Sequence, residues 1–264
     1  MINILNKCKV NHTGFTLAEV LITLGIIGVV AAMTIPTLIN NYKEKVIVNK
    51  LPEIYSILDQ AYKMSVEDNG PISDWNLPTN VEESRYDLMN HFLPYMKSYL
   101  ACDNVKTRCK ESQIIVDLLG KVTTGSLKYN IIMGNTTKIT FDSNGSYSSY
   151  LSTADCNGDA ACYLLPPHEE HMRQVHTIMV NVTGKTNKPR WGEDLFLFAI
   201  LDRGIIPFGD VGWQKKSDCN PERKSNSGWW SGATCAGYVI KYKNVNYLRC
   251  VRGNKKYCIG NYNP

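Results

Sequence analysis

Gly14-Phe15-Thr16-Leu17-Ala18-Glu19-Val20-Leu21-Ile22 opens the stretch on which the reading of this chain turns. Before it, residues 1–12 are polar and basic, with Lys7 and Lys9 and no acid. After it, residues 20–42 carry no formal charge at all. As a helix rising about 1.5 Å per residue, that run is about 35 Å long, enough to cross a hydrocarbon core of about 30 Å. It reads as a membrane anchor. A secretory signal cut near Ala31 and Ala32 is the rival, but the run is long for a signal core and holds the carboxylate of Glu19. Thr16-x-x-Glu19 is also a capping-box pattern, in which Glu19 satisfies free N–H groups at a helix start.

The quoted string, a short basic leader followed by Gly-Phe-Thr-Leu-x-Glu and an apolar helix, resembles the processing site of type IV pilin-like proteins, both pilins and type II secretion pseudopilins. The resemblance implies a cytoplasmic leader over 1–14, a retained filament-core helix over 15–42 and a globular domain over 43–264. It implies that prepilin peptidase cuts between Gly14 and Phe15, and that the new terminus on Phe15 is N-methylated. Gly14 suits that step because a residue without a Cβ lets the backbone extend into a protease site. In the family, the carboxylate matching Glu19 pairs with the amino terminus of a neighbouring subunit. A lone carboxylate among apolar helices costs on the order of a few kcal/mol unless it meets a cation, so such pairing favours one axial register. Capping and pairing are compatible roles. The implied partners are the peptidase, other pilin-like subunits and the bacterial inner membrane, with the filament outside it. The chain is large for a main filament subunit, which points to a minor one.

Pro36 is expected to kink the anchor, in keeping with the resemblance. Beyond it Val46, Leu51, Ile54, Leu58, Ala61 and Tyr62 recur at helical spacing and predict a face packed on the globular domain. Pro52 interrupts that pattern and puts helix continuity in question. A second helix is predicted over 82–100, with Tyr86, Met89, Phe92, Leu93 and Met96 on one face. Strands are predicted over 113–119, 127–133, 138–141, 146–151, 177–182 and 194–201, with a hairpin at Asp142-Ser143-Asn144-Gly145. The fold class is therefore α+β: a long N-terminal anchoring helix packed on a mainly antiparallel sheet. The segments around Met179–Pro189 and Gly192–Phe198, a Gly-x-x-Pro turn at Gly204 to Pro207, Cys235-Ala-Gly-Tyr-Val-Ile240 and Tyr247-Leu-Arg-Cys250 also resemble pilin-like proteins.

With 264 residues, 44% hydrophobic and 20% charged, the chain has enough apolar surface for a core and is no disordered polyelectrolyte. Its 29 basic and 24 acidic residues are too balanced to define a nucleic-acid binder. Cys8 would leave with the leader that the resemblance implies. The other eight cysteines, Cys102, Cys109, Cys156, Cys162, Cys219, Cys235, Cys250 and Cys258, are an even set beyond an anchor and read as disulfides in an oxidising compartment. No C-x-x-C pair supports zinc. Roughly a hundred pairings are open. Short loop closure favours sequential neighbours, and a loop of about 15 residues such as Cys219–Cys235 gains ~3 kcal/mol.

Catalytic motifs are missing: there is no Gly-rich phosphate loop, no Gly-x-Ser-x-Gly turn and no Cys/His pair. No enzyme activity, cofactor or metal is expected. His168-Glu169-Glu170-His171 lacks zincin spacing. Asp155, Asn157 and Asp159 alternate like a calcium loop but lack its glycine position and its bidentate Glu. Where major pseudopilins bind calcium, this chain has Asn181, Thr183 and Lys185, and Glu193 or Asp194 alone would be poor ligands. The remaining candidate is the lobe 214–264, where ten basic residues face only Asp218 and Glu222. Lys241, Lys243, Arg249, Arg252, Lys255 and Lys256 are interleaved there with aromatics that include Trp229 and Trp230. Such a mixture suits DNA or a glycan. The favoured reading is that the cations keep a disulfide-stapled lobe soluble while its rings fill a thin core, since charge runs are usually solvated. An anchored enzyme would need a pocket with perturbed acids or a metal.

Overall fold

A computed structural model of the protein describes residue 14 and residues 16–78, 81–97, 99–101, 113–127, 131–134, 136–142, 176–184, 188–201, 204–209, 219 and 231–258. The chain divides into two compact units, Met1–Lys43 and Glu44–Pro264. A single helix of 53 residues, α1 (Leu17–Asn69), supplies most of the described part of the first and the opening of the second. In the first unit its apolar side chains, from Leu17 through Ile26 and Met33 to Tyr42, are exposed. The threonines among them are satisfied internally: Thr23 donates to the Val20 carbonyl at 2.9 Å and Thr34 to the Val30 carbonyl at 3.0 Å. Such bonds hide polar groups that a hydrocarbon surrounding would leave stranded. Among the described residues, α1 is the one helix long and apolar enough to cross a membrane.

Neither proline ends α1. The break suggested by Pro52 does not occur, and packing explains why. In the second unit Glu44, Ile47, Leu51, Ile54, Leu58, Ala61, Tyr62 and Ser65 form one buried stripe. A proline inside a helix costs about 3 kcal/mol, whereas burying each large aliphatic side chain contributes ~1.5–3 kcal/mol. Leu51, Ile54 and Leu58 around Pro52 are fully buried and together outweigh the penalty.

That stripe packs on a six-stranded antiparallel sheet. The second helix is shorter than predicted, α2 (Val81–Phe92). Pro94 disfavours helical geometry at Leu93, so the chain tightens to a 3-10 turn and continues into an edge strand, β1 (Tyr99–Ala101). The predicted 113–119 strand stops early as β2 (Gln113–Val116). Its end is a turn in which Asp117 Oδ1 accepts from the amides of Leu119 and Lys121 at 3.0 and 2.8 Å. That turn leads into β3 (Val122–Leu127), which pairs with β2 as a separate ribbon. The predicted 127–133 strand thus divides between β3 and β4 (Ile131–Met133).

β5 (Lys138–Asp142), β6 (His176–Asn181) and β7 (Leu195–Leu201) match their predicted positions. The sheet order is β1-β4-β5-β6-β7-β8, and β8 (Gly204–Pro207) is where a turn had been expected. As the outer strand, β8 tolerates the missing N–H of Pro207. The 146–151 strand and residues 143–145 of the hairpin lie outside the described residues.

Both faces of the sheet are covered. Phe141, Ile178, Val180, Phe196 and Phe198 join the α1 and α2 core, while Met179, Leu195, Leu197 and Ala199 meet Trp191, Phe208 and Ala233 behind. Double coverage accounts for the unbroken apolar run of β7, which a half-exposed strand would alternate with polar residues. Tyr55 stacks on Phe198 at 5.8 Å and donates to the Ile205 carbonyl at 3.2 Å. Gly184, at φ 59°, closes the turn after β6, where a Cβ would fall 1.8 Å from the Thr136 carbonyl oxygen.

Burial holds His176 neutral, with its pKa lowered from 6.5 to about 4, and among the described residues its Nδ1 has no hydrogen-bond partner. The unfolded chain therefore takes up a proton below about pH 6.5 that the folded chain refuses until about pH 4. Stability from this residue is full above that window and drains as pH falls through it, by at most about 3 kcal/mol at ~1.4 kcal/mol per unit. Unfolding of the detergent-solubilised chain and its His176→Phe variant, followed from about pH 7 to 4, should show the difference between them shifting across that window. A difference independent of pH would remove this account.

Candidate functional site

The anchor begins with a closed capping box. Thr16 donates from both its amide and its hydroxyl to Glu19 Oε2, each at 2.8 Å, and the Glu19 amide donates to Thr16 Oγ1 at 3.2 Å. These bonds explain how a carboxylate is tolerated at the start of an apolar helix: it satisfies donors that the first turn leaves open. All of them lie after the predicted cut, so they survive removal of the leader. Both residues are exposed, and the bonds engage Oε2 alone. Gly14 has nothing within 4 Å of where a Cβ would stand, so its surroundings are open. Phe15 lies outside the described residues.

A second cluster forms around Glu44, the first acid after the uncharged run. Its side chain is 11% exposed, and it receives Arg249 Nη2 at 3.2 Å and Arg252 Nη1 at 2.7 Å. Two guanidiniums on one carboxylate compensate a desolvated charge that would otherwise be costly. Both arginines come from the C-terminal segment, where α3 (Cys235–Tyr242) and α4 (Tyr247–Val251) are helices that periodicity had not revealed. Arg249 also lies over the Tyr257 ring, 5.1 Å from its centroid. Tyr247 is buried, which pushes its hydroxyl pKa well up, and it donates to the Gly192 carbonyl at 2.5 Å.

Disulfides staple this segment: Cys219 to Cys235 and Cys250 to Cys258, each a pair of sequential neighbours. Cys102, Cys109, Cys156 and Cys162 lie outside the described residues.

Among the described residues the basic side chains do not form one stacking platform. Lys241 lies against Tyr242 at 5.6 Å, Lys243 is the left-handed cap of α3, and Arg249 and Arg252 hold Glu44. Lys255 and Lys256 are exposed, and Trp229 and Trp230 lie outside the described residues. Neither these positions nor any comparison supports a DNA or glycan partner. In the calcium-like region, Asn181 Oδ1 accepts from the Gly184 amide at 2.8 Å, and Asp194 Oδ1 accepts from the Thr183 hydroxyl at 2.9 Å. Lys185, Asp155, Asn157, Asp159, His168 and His171 lie outside the described residues. Among the described residues no three metal-ligating side chains converge.

Glu44 was not singled out from the sequence, although its place three residues before Ile47 on the buried stripe was a signal. A carboxylate on an apolar stripe asks for a cation.

Residues 9–35 match the prokaryotic N-terminal methylation motif, and with the long apolar helix this is the N-terminus of a type IV pilin-like protein. Residues 37–169, half of the chain, match the family described as "Family of unknown function (DUF6613)", and the chain belongs to it. No curated protein and no solved structure matches. The methylation motif supports a subunit of pilin or pseudopilin type, hence a structural protein that starts as a membrane-anchored precursor.

Proposed function

We propose that this chain is a non-enzymatic, minor subunit of a type IV pilus or type II secretion pseudopilus. Prepilin peptidase removes residues 1–14, Phe15 becomes the methylated terminus, and the exposed half of α1 leaves the inner membrane to pack on the helices of other pilin-like subunits. Glu19 then meets the amino terminus of a neighbour while Thr16 still caps through Oε2. The observation that carries this reading is the junction of a methylation motif to a helix that is exposed and apolar over its first half and core-forming over its second. Such a helix needs two different surroundings, a bilayer or helix bundle first and its own sheet second.

The mass and terminal residue of the protein from membranes test it. N-methyl-Phe15 at the terminus is the expected result; a chain beginning at Met1 or near Met33 refutes it.

A further inference from the structure

We propose that the disulfide-closed loop Cys250–Cys258, with Lys45, binds the anionic lipid headgroups of the membrane that holds the precursor; this rests on the anchor reading above. Between the two buried half-cystines run Val251-Arg252-Gly253-Asn254-Lys255-Lys256-Tyr257, with three cations and no acid. Residues 252–256 are exposed, and so is Lys45. Glu44 ties this loop to the chain directly after the anchor. It follows Tyr42, the last residue of the uncharged run, by two positions, about 3 Å of helix. Tyr42 is 68% exposed, an amphipathic ring at the end of an apolar span, where aromatic side chains mark the headgroup level.

Arg252 reaches Glu44 at 2.7 Å and Arg249 reaches it at 3.2 Å. The loop carrying Arg252, Lys255 and Lys256 is thereby tied to the residue that emerges next to the headgroups. Among the described residues Glu44 is the one carboxylate ion-paired to this cluster, to which Lys45, Arg249, Arg252 and Lys256 bring four cations. Clusters of cations beside a membrane span are drawn to anionic lipid within about one Debye length of the surface. The bridge at Cys250–Cys258 keeps the loop formed, so little ordering is required on binding. A nucleic acid would meet the same charges, but the loop's one ring, Tyr257, already lies under Arg249 at 5.1 Å, and the anchor holds the chain at the bilayer.

The test uses the full chain reconstituted in vesicles of phosphatidylcholine alone, or with about a third phosphatidylglycerol, and reads acylation of individual lysines by mass spectrometry. Lys45, Lys255 and Lys256 should react about three- to tenfold more slowly in the anionic vesicles, reverting at high salt, while Lys63 and Lys121 stay unchanged. Replacing Lys255 and Lys256 with Gln should weaken the protection of Lys45 about twofold or more. Equal rates in the two vesicles, with the protein still floating in both, overturn the lipid site and leave the anchor standing. Failure to float with phosphatidylcholine alone overturns the anchor and the lipid site together. Protection by added single-stranded DNA but not by phosphatidylglycerol overturns it in favour of a nucleic-acid surface.

Discussion

Replacing Glu19 with Leu is expected to leave cleavage after Gly14 intact and to deplete the chain from sheared filaments by tenfold or more. Two effects compete for that outcome. Losing the capping box costs about 1 kcal/mol of helix start, less in a long helix already held by its surroundings. Losing a charge pair in an apolar bundle removes the partner of a buried amino terminus, a penalty on the order of a few kcal/mol. Thr16→Ala separates them, because it opens the Oγ1 bonds at 2.8 and 3.2 Å and keeps the carboxylate. Filaments from Thr16→Ala should form at near-normal levels. An equal defect in both variants would make Glu19 a cap and nothing more, and normal filaments from Glu19→Leu would end its pairing role.

The largest effect on folding should come from Tyr62→Ala. Tyr62 is 2% exposed, lies 6.1 Å from Phe92 and 6.0 Å from Trp75, and donates to the Leu201 carbonyl at 2.8 Å. One side chain thus ties α1 to α2 and to the end of β7. Removing a buried ring of this size costs about 3–5 kcal/mol, a large share of the stability of most domains. Tyr62→Phe keeps the ring and loses only the hydroxyl bond, for about 1 kcal/mol. Denaturant unfolding of both variants checks the ranking. A Phe variant as damaged as the Ala variant would mean that the hydrogen bond, and not the packing, dominates.

The anchor and its core-facing stripe were legible because both are periodic in sequence: an uncharged run over 20–42, then Leu51, Ile54, Leu58 and Tyr62 at helical spacing. The central strands were legible for a related reason, since Leu195–Leu201 is an apolar run bounded by a turn. What could not be read were features decided by remote partners. Pro52 argued against a helix that its buried neighbours enforce. Gly204 to Pro207 looked like a turn because only the register with β7 makes it a strand. At the candidate sites, Thr16 and Glu19 are three residues apart, so their box was visible. Glu44 and its arginines are separated by most of the chain, and no local pattern joins them. Their meeting changed the reading of the basic lobe, because two of its cations turned out to be internal partners.

That separation also governs the order of events in synthesis. The bonds from Arg249 and Arg252 to Glu44 close over 205 and 208 positions. At about 5–20 residues per second, a ribosome needs on the order of ten seconds or more to cover that distance. Throughout that interval Glu44 has no partner, and the face of the sheet that Ala233 will cover stays open. Closure waits for Arg249 and Arg252, so a polypeptide delivered amino end first remains unlatched, and threadable, until those two residues have followed it.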